Sequence, residues 1–69
     1  MKKQLFINGE VARIENNKYY ILTYDNDWDV LIEVNKDTFK NEILKYKDVC
    51  FSSWNKDLKK QYLEITRDL

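Results

Sequence analysis

Apolar and polar residues alternate through the first half of the chain, and the period lengthens in the second half. In residues 4–15 the apolar positions are Leu5, Ile7, Val11 and Ile14, and the alternation of the first half falls out of phase with that of the second, with Gly9 at the break. A long strand bulged at Gly9 and a tight hairpin at Asn8-Gly9 both accommodate this pattern. The bulge is preferred, because a hairpin leaves a first strand of only about four residues, near the lower limit for strands. Asn16-Asn17 makes the next turn. Residues 18–24 are the clearest strand, with Tyr20, Leu22 and Tyr24 on one face and Tyr19, Ile21 and Thr23 on the other. Asp25-Asn26-Asp27 is turn chemistry, since Asx side chains bond their own downstream backbone. Residues 28–34 follow as a half-buried strand, Trp28, Val30, Ile32 and Val34 facing one way and Asp29, Leu31 and Glu33 the other.

After Asn35 the apolar spacing becomes helical: Phe39, Ile43 and Tyr46 fall at i, i+4 and i+7, with Leu44 beside them. Asn35, Asp37 or Thr38 can cap this helix, and Lys45 and Lys47 suit the negative end of its dipole. Residues 49–54 combine β-branched and aromatic side chains with Ser52 and Ser53, which predicts a further strand before a turn at Asn55-Lys56-Asp57. In the tail, Leu58, Tyr62, Ile65 and Leu69 keep helical spacing, whereas Leu63 and Ile65 alternate with Tyr62, Glu64 and Thr66. A strand over 61–67 is preferred, with helix as its alternative. The predicted class is α+β, mainly β: a small five-stranded antiparallel barrel or strongly curved sheet with one short helix, in the order β-β-β-α-β-β. That order matches the oligonucleotide/oligosaccharide-binding (OB) barrel, whose bent first strand would place its bend at Gly9. A five-stranded SH3-like barrel, or an open antiparallel sheet crossed by one helix, are the other topologies.

The length of 69 residues sets a single domain, 1–69, with a small core. Hydrophobic residues at 43% and charged residues at 35% belong to a chain that folds. Twelve Lys+Arg balance twelve Asp+Glu, which argues against a charged glove for nucleic acid or for an anionic membrane. With no His, no Pro, one Gly and one Cys, disulfide frameworks, paired-cysteine zinc sites, phosphate-binding loops and histidine catalysis are excluded by counting. Cys50 has no partner in the chain, which suits a reducing, cytoplasmic setting. No apolar run reaches the length of a bilayer span or a signal-peptide core. Ten Lys against two Arg, beside seven Asn, is the codon signature of an AT-rich genome. A Met-started frame of this length then reads as an accessory gene of a phage or mobile element.

Catalysis finds little support. Glu10 with Glu15, or Asp29 with Glu33, are carboxylate pairs without a pocket, and Ser52-Ser53 lacks an activating base. No enzyme activity and no cofactor are expected. Asp25, Asp27 and Asp29 are spaced like the first three ligands of a calcium-binding EF-hand loop, but Val30 stands where the glycine is needed and Lys36 where the bidentate glutamate is, so no metal site is expected. The strongest asymmetry is in residues 25–33, which hold four carboxylates and no cation. This predicts an acidic, aromatic hairpin of Tyr24, Asp25, Asp27, Trp28 and Asp29, with Glu33 as neighbour. It would dock on a host protein or nucleoprotein with a basic surface, as an inhibitor of anti-defence type. Ten aromatics offer a second reading, in which Tyr19, Phe51 and Trp54 with Lys18, Lys56, Lys59 and Lys60 bind single-stranded nucleic acid. A third is a structural subunit pairing through sheet edges that no proline protects, as in a homodimer. A membrane is not an expected partner.

Overall fold

The computed structural model describes residues 1–25, with Asp25 by its backbone only, and residues 28–69. Four strands, β1 (Lys2–Phe6), β2 (Glu10–Glu15), β3 (Lys18–Asp25) and β4 (Trp28–Val34), form one antiparallel sheet in the order β1-β2-β3-β4. Three helices follow: α1 (Lys36–Leu44), α2 (Lys47–Ser52) and α3 (Lys56–Thr66). The α+β class holds. The five strands, the barrel and the order β-β-β-α-β-β do not: β1 and β4 lie at opposite ends of an open meander, and neither the OB-like nor the SH3-like closure is present.

Three local corrections account for the difference. Residues 4–15 are two strands, because Asn8 and Gly9 take φ of 53° and 120° and turn the chain back. The objection that the first strand would be too short fails because that strand begins at Lys2. A bulge exists as well, one step further on: Leu5 faces Ala12 while Phe6 faces Glu10, which leaves Val11 over on β2. Residues 49–54 are not a strand, since residues 47–52 wind into α2, with Cys50 fully buried. The tail is helical: Leu58, Tyr62, Ile65 and Leu69 all reach the core from α3 and its end, whereas Leu63, which a strand would have paired with Ile65, is exposed.

Gly9 is required by its backbone and not by crowding. At its φ of +120° L side chains are rarely found, yet nothing lies within 4 Å of where a Cβ would stand. Gly9→Ala should therefore cost about 1–3 kcal/mol through strain alone, read as a shifted urea midpoint with an unchanged m-value. Asn16 and Asn17, with φ of 53° and 64°, supply the paired left-handed residues of a two-residue turn and fix the β2–β3 register.

α1 and α3 start on clear signals. Asn35 Oδ1 accepts from the Thr38 backbone N–H at 2.7 Å, and Asn55 Oδ1 accepts from that of Asp57 at 2.9 Å. Phe39 and Ile43 of α1, Cys50 of α2, and Tyr62 and Ile65 of α3 then close over one face of the sheet. The Tyr19 ring packs on Phe39 with centroids 5.3 Å apart, and Phe51 meets Tyr62 edge-on at 5.6 Å. Among the described residues, no helix is long and apolar enough to cross a membrane.

On the uncovered face Arg13 bridges Glu10 and Glu15, its Nε donating to Glu10 Oε2 at 2.8 Å, and Gln4 donates to the same oxygen at 2.6 Å. The Arg13 hydrogen bonds hold the Glu10 carboxyl below its ordinary 4.5, against the opposing effect of burial. A depressed folded-state pKa gives stability that is present above the unfolded value and fades as pH falls through the folded one. Glu10→Gln should therefore be less stable than the parent at neutral pH, and the gap should narrow at an acidic pH well below 4.5. Denaturation midpoints at the two pH values check this; a pH-independent gap would assign Glu10 a purely steric role.

Candidate functional site

A single row of side chains across the sheet shows where the helices stop. Leu5, Ala12, Ile21 and Ile32 are successive cross-strand partners and therefore share the helix-covered face. Leu5 and Ala12 are fully buried and Ile21 nearly so, but Ile32 is 43% exposed. α1 packs back onto β3 and α3 onto β1, so the cover ends before β4. Val30 is also exposed on this face, and Trp28, at the strand's start, is 73% exposed. Only Val34, at the other end of β4, tucks in beside the core.

The opposite face of the β3–β4 pair carries the acids. Asp29 lies across from Tyr24, Leu31 across from Leu22, and Glu33 across from Tyr20. Asp29 and Glu33 are exposed, as is Tyr24. Ion pairs among the described residues join Lys3 to Asp68, Arg13 to Glu10 and Glu15, and Lys45 to Glu42. None involves Asp29 or Glu33. Arg13 lies in the same cross-strand row as Tyr20 and Glu33, with its guanidinium 5.9 Å from the Tyr20 ring centre, but its charge is taken up by the two glutamates of its own strand.

Of the expected hairpin contacts, Tyr24, Asp29 and Glu33 share one face of the β3–β4 pair, and Trp28 lies on the other. The Asx turn and Asp27 lie outside the described residues, as does the side chain of Asp25, and with them the EF-hand comparison. Sequence reasoning assigned Val30 and Ile32 to the buried side and so missed them as part of this surface. Their alternation is that of a core strand, and the available clue was the position of β4 as the last strand before the helices.

The alternative nucleic-acid residues are dispersed. Tyr19 is half-buried against Phe39, and Lys18 stands beside the Asn16-Asn17 turn. Phe51 is partly exposed with Lys59 Nζ 5.7 Å from its ring centre, and Trp54 is fully exposed. Lys56, Lys59 and Lys60 cluster on α3 with Arg67, around exposed Leu63. Arg67 and Leu63 belong to this basic face without having been singled out from the sequence. Burial raises the thiol of Cys50 and the phenols of Tyr46 and Tyr62 above their ordinary values, which leaves no activated nucleophile there.

Comparison with protein-family models, with curated proteins and with solved structures finds no match.

Proposed function

We propose that this chain is a non-catalytic binding module that docks, through β3 and β4, on a basic surface of a host protein or nucleoprotein. The observation that carries the reading is one exposed strand presenting Trp28 on one face and two carboxylates, Asp29 and Glu33, on the other, neither of them in an ion pair among the described residues. An exposed indole is a preferred anchor at interfaces, and unpaired acids steer association with a cationic partner. Such an acidic surface can compete with phosphates for a cationic nucleic-acid groove, which fits an inhibitor of a host nuclease or defence complex.

The test is capture from nuclease-treated host extract by the parent chain and by an Asp29→Lys/Glu33→Lys variant whose circular dichroism is unchanged. A specifically retained basic protein should bind the variant at least roughly tenfold more weakly, a difference of about 1.4 kcal/mol. Identical retention by both refutes the assigned surface.

The α3 face supports a second reading, because fully exposed Trp54 adjoins Lys56 and the cluster of Lys59, Lys60 and Arg67. Binding of labelled single-stranded oligonucleotides with a steep loss on adding salt would favour it. Negligible binding at low salt removes it.

A further inference from the structure

The two edges of the sheet are treated differently. β1 is closed: the Phe6 backbone N–H donates to Gln61 Oε1 at 2.8 Å and Lys3 pairs with Asp68 at 3.1 Å, so α3 and the chain end lie along that strand. β4 has β3 on one side, and no hydrogen bond among the described residues reaches its other side. Edge strands in folded proteins are normally blunted by lysine, proline, a bulge or a covering element. Residues 28–34 contain no Lys, Arg or Pro, and their register against β3 runs without a break from Trp28 to Val34. The side chains alternate Trp28, Val30 and Ile32 on one face with Asp29, Leu31 and Glu33 on the other.

We infer that β4 is a strand-addition site for an extended segment of a partner protein in which Lys or Arg alternates with apolar residues. The inference rests on the binding reading above and specifies its mode. A strand laid against β4 keeps its own alternation, so its cations fall on the face of Asp29 and Glu33 while its apolar side chains extend the Val30 and Ile32 surface. Main-chain hydrogen bonds supply affinity and the alternating side chains select the sequence. A second copy is a poor occupant. Antiparallel self-pairing centred on Leu31 sets Asp29 against Glu33 of the other copy, and no register supplies a cation, because residues 28–34 have none.

The test uses the full chain and a capped synthetic peptide, Thr-Lys-Val-Lys-Val-Lys-Thr, at a concentration where the peptide is monomeric. Two readouts are followed: affinity, from the change in tryptophan fluorescence, and amide hydrogen exchange along β4 by NMR. The expected result is saturable binding that slows exchange at alternate β4 amides at least tenfold and is weakened more than tenfold in Asp29→Lys/Glu33→Lys. Binding that the double variant loses, but that leaves the β4 amides unprotected, overturns strand addition while leaving the acidic-surface reading in place. Equal binding to the parent and the variant overturns both. Absence of binding overturns strand addition. Concentration-dependent dimerisation that protects the same amides without peptide overturns it in favour of a second copy.

Discussion

Phe39→Ala should leave the chain close to its unfolding midpoint, or beyond it, at 25 °C. Phe39 is fully buried, joins α1 to β3 through its tilted contact with Tyr19, and is the largest of the fully buried side chains. Truncating a ring in such a position costs about 3–5 kcal/mol, combining the lost transfer free energy with the cavity left behind. A single core in a domain below about 70–80 residues rarely supplies more than about 3–5 kcal/mol in total. The two quantities are of the same size, so the substitution removes most of the folding free energy. Urea and thermal unfolding followed by circular dichroism give the answer. Trp54→Ala is the control: a still larger ring is removed from a fully exposed position, with an expected effect within about 0.5 kcal/mol. A loss of under about 1 kcal/mol for Phe39→Ala would mean that α1 is not held through that ring.

The second large effect is kinetic. Cys50 is fully buried in α2 and its thiol is raised by that burial, so an aqueous disulfide reagent reaches it only when the helix opens. If α2 opens only with the whole domain, a folding free energy of about 3–5 kcal/mol slows labelling by about 2.2 to 3.7 decades relative to the urea-unfolded chain. Combining Phe39→Ala with this measurement should abolish most of the protection. Labelling at nearly the unfolded rate in the parent would show that α2, held to α3 through Phe51 and Tyr62, detaches on its own.

Much of this architecture is readable from residue order. The central strand, the edge strand and α1 follow from periodicity, and Asn35 caps α1 as its residue type allows. The hairpin at Asn8-Gly9 was also readable. The apolar pattern hides it because it starts only at Leu5, whereas charged Lys2 and half-buried Lys3 extend the first strand, the latter reaching Asp68. α2 had no usable signal: it is under two turns long, contributes one core residue, and its Val49, Cys50 and Phe51 favour strand locally, so packing against α3 decides its form. For α3 both periods were present, and burial chose between them by engaging Leu58 and Leu69 and leaving Leu63 outside. The site divides in the same way. Charge and the indole are local properties, visible in the order of residues, but the exposure of Val30 and Ile32 depends on helices too few and too short to roof a fourth strand.

The closed edge has a practical corollary. Lys3 and Asp68 bring the two ends of the polypeptide together beside β1, three strand spacings away from β4. Anything joined to Met1 or Leu69, whether a tag, a surface tether or a fused enzyme, would hang from the guarded flank. The molecule can thus be immobilised by either terminus while the opposite flank stays open to solvent.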